Sequence, residues 1–218
     1  VRYNSKLINF SKPIFSSVKG FFVFLYKKLL EFKDNYNKDN DDSSVLEKVE
    51  ALVDDAEVLV REEKFEDAEK MFIDIISKDS QNIDAFRGLA KLYSEKKQYR
   101  EAKQTLEHIL RLLEREETNM DSNLESSEEA IVDTHTIALV NYDLANVCRK
   151  NEEFTKALEC VKKAVKQEPG NPKFLDMMFD LSIINKDKIN ALDAFEKLKK
   201  ANPENNNLVE FEKKLKEL

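Results

Sequence analysis

Tryptophan is absent from this chain of 218 residues, and only three Gly, four Pro, two Cys and two His are present. Each scarcity excludes something. Tight turns draw on Gly and Pro, so neither an all-β protein with many hairpins nor a Gly-rich nucleotide-binding fold fits. Cys148 and Cys160 are too few for a disulfide framework, and their spacing matches no zinc pattern. Each stands where a helix core takes a small apolar residue, which implies buried thiols in a reducing compartment. His108 has no carboxylate or Cys at ligand spacing, and His135 sits between Thr134 and Thr136. There is no phosphate loop, zinc-protease signature or nucleophile elbow, so the sequence implies no enzymatic chemistry, cofactor, metal or small-molecule substrate.

What is present in quantity is charge. Charged residues make up 36% of the chain and hydrophobic ones 41%, enough apolar side chains for a core beneath solvated helix faces. An all-α chain follows, and its length fits one domain with an appendage, at roughly 100 to 200 residues per domain. The formal net charge of −7 averages two unlike parts. Residues 1–33 carry seven basic side chains against Glu31 alone, a net +6, while the remainder holds 29 basic and 42 acidic side chains, a net −13. Such asymmetry marks a basic arm joined to an acidic body.

The body repeats itself. Phe65-Glu66-Asp67-Ala68 recurs as Tyr99-Arg100-Glu101-Ala102, as Phe154-Thr155-Lys156-Ala157 and more faintly as Lys188-Ile189-Asn190-Ala191. Ala68 to Ala102 is 34 residues and Ala157 to Ala191 is again 34, while Ala102 to Ala157 is 55, or 34 with an insertion of 21. Phe72, Leu106, Val161 and Phe195 follow the small residues by four. Upstream, Phe86, Leu89, Ala90 and Tyr93 form a helical stripe, matched by Leu52, Asp55, Ala56 and Leu59, by Asn141, Leu144, Ala145 and Cys148, and by Leu175, Met178, Phe179 and Ser182. Pro169, two residues before Asn171, and Pro203, directly after Asn202, stop the helices of the last two units.

In these residues the sequence resembles the tetratricopeptide-repeat (TPR) family, over about residues 48–204. The resemblance implies an all-α, superhelical solenoid of helix-turn-helix units at about 49–82, 83–116, 138–171 and 172–204. A capping helix is expected at 205–218, with Leu208, Val209, Phe211, Leu215 and Leu218 covering the last pair. Asp55 and Asn141 at usually apolar places, Phe179 at a usually small one, and Ser80 and Glu114 in place of a closing Pro depart from the family pattern. The acidic insertion, 117–137, reads as a loop followed by a helix that restarts near Ser126-x-x-Glu129 and runs through Arg149.

The arm, residues 1–33, has its own pattern. Ile14, Phe15, Val18, Phe21, Phe22, Leu25, Tyr26, Leu29 and Leu30 follow a helical period, with Lys19, Lys27 and Lys28 on other faces. Phe21 to Tyr26 is apolar for only six residues, whereas crossing a bilayer takes about 20. A Phe-rich face bordered by Lys fits an anionic membrane surface, with Phe15, Lys19, Phe21, Phe22, Leu25, Lys27 and Lys28 as contact residues. The alternative is a soluble adaptor whose arm packs on its own repeats or on a partner. Nucleic acid is a poor fit for a Phe-rich stripe with few Arg. Residues 34–46 read as a polar linker. This layout resembles bacterial membrane-anchored TPR proteins. The chain opens on Val1 rather than Met, and a spanning helix ahead of it would set the arm on the cytoplasmic side.

The family register also implies a concave groove for a protein or peptide ligand, lined by the first helix of each unit. Its lining would be Val53, Glu57 and Val60; Arg87, Lys91 and Ser94; Tyr142, Asn146 and Arg149; and Asp176, Asp180 and Ile183. Arg87, Lys91 and Arg149 would meet an acidic group of the ligand, Asn146 its backbone and Tyr142 an apolar side chain. The expected function is therefore a non-enzymatic protein-interaction scaffold.

Overall fold

The computed structural model describes residues 45–120, 134–204 and 207–218. Nine helices are found among them: α1 (Val45–Arg61), α2 (Phe65–Lys78), α3 (Ile83–Glu95), α4 (Tyr99–Met120), α5 (Thr134–Lys150), α6 (Phe154–Gln167), α7 (Pro172–Ile184), α8 (Lys188–Ala201) and α9 (Leu208–Glu217). No helix of the described residues is long and apolar enough to cross a membrane. The chain forms two compact units that divide at Leu92/Tyr93.

The pairing of helices rests on a turn that recurs four times. Glu63, Lys97, Glu152 and Lys186 all have φ between 56° and 60°, and their steps of 34, 55 and 34 residues repeat those of the buried alanines. At each turn the next residue's N–H reaches back to the helix: Lys64 to Leu59 O, Gln98 to Tyr93 O, Glu153 to Cys148 O and Asp187 to Ser182 O. The left-handed residue itself donates to Val60, Ser94, Arg149 or Ile183. These are Schellman closures, built without the usual glycine, and they satisfy carbonyls that a helix end leaves unpaired.

Within the first unit, α1 packs against α2, and α2 meets α3 where Phe72 lies against Gly88. The backbone of Gly88 is approached so closely that a Cβ there would fall on the ring of Phe72, which is fully buried. In the second unit the packed pairs follow chain order, α4 with α5, α5 with α6, and so on to α8 with α9. Ala68, Ala102, Ala157 and Ala191 are all fully buried, as are Phe72, Leu106 and Val161 four residues on. A small residue allows close helix approach while its large neighbour fills the remaining space. Phe195, the fourth of that series, is only half-buried.

Boundaries differ from the sequence reading in detail. α1 begins at Val45, inside the stretch read as linker, and α4 runs on to Met120, past the expected unit edge. α5 is described from Thr134, and the expected restart near Ser126 lies outside the described residues. α7 starts as the sequence implies, with Pro172 in its first turn and the Asn171 side chain accepting from Lys173 N. The cap forms, and Phe211 buries its ring 4.5 Å from that of Phe179. Val209, expected on the covered face, is instead 79% exposed. It falls on the flank of α9 beside Glu212 and Lys216, one helical turn and two away, rather than with Leu208, Phe211 and Leu215.

Candidate functional site

The residues expected to line a groove stand on α1, α3, α5 and α7. In the first unit Glu57 and Val53 on α1 are half-buried, while Lys91 on α3 is exposed with its Nζ 3.6 Å from Glu57 Oε2. Arg87, one turn before Lys91, is half-buried with Nη1 3.8 Å from Asp84 Oδ1. The two cations therefore share one helix face, and both stand beside carboxylates of their own unit.

Val60 and Ser94, both expected to line the groove, are buried. They correspond to Arg149 and Ile183 in the other units, and all four supply a carbonyl to the left-handed turn. Val60 and Ser94 fold under the turn, and Ile183 is half-buried. Arg149, long and charged, stays exposed.

In the second unit α5 brings Tyr142, Asn146 and Arg149 together by their helical spacing. The Asn146 amide donates to Tyr142 O at 3.2 Å, and its Oδ1 accepts from Arg149 Nη2 at 3.3 Å. Asn146 is thus bonded to its own helix and to the Arg149 side chain. Tyr142 is half-buried; its ring lies 5.1 Å from that of Phe174, and Lys173 Nζ stands 4.6 Å from its centroid. Lys173, in the first turn of α7, is a member of this cluster that repeat spacing does not reveal. A tyrosine, two cations and an amide thus stand together on this part of the second unit.

Asp176 and Asp180, one turn apart on α7, are half-buried. Burial, reinforced by the charge of Asp180, raises the pKa of Asp176 above the ordinary carboxylate value, while Lys214 from α9 opposes the shift. This part of the second unit is acidic.

Cys148 and Cys160 are buried free thiols on facing helices of the α5–α6 pair. Hydrogen bonding to Cys160 and burial push the Cys148 thiol up, away from reactive thiolate. His135 is exposed and pairs through Nδ1 with the Glu168 carboxylate. Among the described residues no three His, Cys, Asp or Glu side chains are grouped to hold a metal ion. The arm residues Phe15, Lys19, Phe21, Phe22, Leu25, Lys27 and Lys28 lie outside the described residues.

A tetratricopeptide-repeat family model matches residues 59–116, and a second one matches residues 138–171. Among solved structures the chain is similar to a crystal structure of MamA protein, with 15% identity, a TM-score of 0.54, and coverage of 78% of this chain and 91% of that one. It is also similar to MamA 41-end from Desulfovibrio magneticus RS-1, with 16% identity, a TM-score of 0.52, and coverage of 87% and 97%. At these identities the likeness is one of fold. Among curated proteins no relative matches the chain. Four left-handed turns and four buried alanines in a single register, together with these matches, identify the chain as a tetratricopeptide-repeat protein.

Proposed function

We propose that this chain is a non-enzymatic protein-interaction scaffold that takes partner peptides on the first-helix faces of its repeats and is held at the cytoplasmic membrane face by its basic arm. Tetratricopeptide arrays support protein–protein interaction, and stacked helix pairs offer extended surfaces for it. The observation that carries the peptide half is the cluster on α5. The Tyr142 ring is backed by Phe174 and bordered by Lys173, with Arg149 held by Asn146 beside it. Support holds such side chains in place before a ligand arrives, which lowers the entropy lost on binding. Arg87 and Lys91 offer a second cationic face on the first unit, where an acidic ligand would compete with Asp84 and Glu57.

The tether rests on the +6 of residues 1–33 and their Phe-rich helical pattern. Exposed lysines near an apolar face draw a helix to anionic headgroups, and the attraction falls with salt. Two experiments test the reading. A pull-down compares the full chain with an Arg87→Glu/Lys91→Glu variant and a Tyr142→Ala/Arg149→Glu variant; recoveries equal to wild type in both discard the peptide faces. Flotation with phosphatidylglycerol vesicles compares the full chain with one lacking residues 1–33. Salt-sensitive binding that the deletion removes supports the tether. Equal binding rejects it, and a deletion that only lowers the melting temperature favours an arm packed on its own repeats.

A further inference from the structure

The end of the second unit holds a cleft that the repeat faces do not account for. A cavity of about 510 Å³ opens between α8 and α9, lined by Lys188, Phe195 and Lys199 from α8 and by Glu212, Leu215 and Lys216 from α9. On α8, Lys188, Leu192, Phe195 and Lys199 recur at helical spacing and share one face. Leu192 on that face is 44% exposed, and Val209, on the flank of α9 that carries Glu212 and Lys216, is 79% exposed. A cap that closed this end fully would cover them. Phe195 and Leu215 are only half-buried, so the cleft has an apolar floor in reach of solvent.

Its rim is cationic in a chain whose net charge is −7. Three lysines face one carboxylate. That carboxylate, Glu212, lies 2.9 Å from Lys216 Nζ. Among the described residues neither Lys188 nor Lys199 has a carboxylate within ion-pair distance. The Glu212 pKa is lowered by the hydrogen bond and charge of Lys216, with a further contribution from Lys199.

We propose that the α8–α9 cleft is a docking site for an acidic peptide of a partner protein, which sets an apolar side chain between Phe195 and Leu215 and its carboxylates on Lys188 and Lys199. Charge complementarity selects the acidic partner, and the recessed floor selects a convex side chain. A flat anionic bilayer meets the rim but not the floor. The site is separate from the α5 cluster and stands or falls independently of it.

The test is fluorescence anisotropy on the full chain carrying Arg87→Glu/Lys91→Glu/Tyr142→Ala/Arg149→Glu, so that the first-helix faces do not compete, with a fluorescein-labelled hexapeptide of four glutamates around a central leucine-phenylalanine pair. This background binds it with a Kd on the order of 10 to 100 μM, as weak peptide sites do. Lys188→Glu/Lys199→Glu weakens binding by about tenfold or more, and so does replacing the leucine-phenylalanine pair of the peptide by two serines. Lys163→Glu/Lys166→Glu, an equal charge change on the exposed face of α6, leaves binding within about twofold. Several results overturn the proposal. They are no binding up to about 1 mM, equal losses in the α6 control, indifference to the serine replacement, or phosphatidylglycerol vesicles binding at Lys188 and Lys199 in place of the peptide.

Discussion

Lys103 Nζ on α4 lies 2.5 Å from Glu153 Oε1, which joins the helix before the insertion to the turn between α5 and α6 beyond it. Glu153 also binds Lys156 Nζ at 2.9 Å and accepts from the Asn151 amide. The pair therefore ties the two repeats that flank the acidic insertion. Its hydrogen bonds to Lys103 and Lys156 lower the Glu153 pKa from 4.5 to about 2.

A pH dependence follows. The folded state holds this carboxylate ionised more strongly than the unfolded chain does, so the stabilisation is fully present above pH 4.5 and is lost as pH falls through about 2. Urea unfolding of wild type should lose stability across this window faster than Glu153→Gln does. At neutral pH that substitution should cost about 1 to 2 kcal/mol, the scale of a hydrogen bond to a charged group. Parallel pH profiles for the two proteins contradict the role given to the pair.

Gly88→Ala should destabilise the first unit. The new Cβ would meet the ring of Phe72, a side chain with no exposed surface and therefore little room to move. Overpacking of this kind costs about 1 to 3 kcal/mol. Thermal melts monitored at 222 nm check it, and a combined Gly88→Ala/Phe72→Leu variant should recover part of the loss, because the shorter side chain vacates the ring's place.

Glu152→Gly should stabilise. Glu152 is exposed with φ at 59°, a conformation that glycine adopts without strain. A gain of up to about 1 kcal/mol is expected, reduced by the entropy of glycine in the unfolded chain. Glu152→Ala, which keeps a Cβ, should bring no such gain. Chemical denaturation of the three proteins side by side decides it.

Phe211→Ala should loosen the cap, because the ring is buried against Phe179 at 4.5 Å. The loss expected for a buried Phe is about 3 kcal/mol. Hydrogen exchange should accelerate in α9 and in α7 around Phe179, while α1 and α2 remain unchanged.

The 34-residue register could be read in the sequence because Ala68, Ala102, Ala157 and Ala191 answer one physical demand, close helix approach, and few other residues meet it. The turns were less legible. Glu63, Lys97, Glu152 and Lys186 carry no sign of a left-handed backbone, since the residue that normally marks one is glycine. The exposure of the residues read as groove lining was legible in part. Lys91, Tyr142 and Arg149 reach the surface where the register puts them, whereas Val60 and Ser94 fold beneath their turns. Periodicity assigns a helix face but does not say which side chain is short enough to tuck in. The α8–α9 cleft was not legible at all, because its six lining residues come from two helices and neither helix's own pattern gives their relative placement.

The claim that this repeat protein works by holding partners on its first-helix faces is tested most directly by a quantitative pull-down with the full chain and its Arg87→Glu/Lys91→Glu/Tyr142→Ala/Arg149→Glu variant. Partners recovered specifically by wild type should fall by about tenfold or more with the variant, while its melting temperature stays close to that of wild type. Equal recovery of the same partners by both proteins would contradict the account.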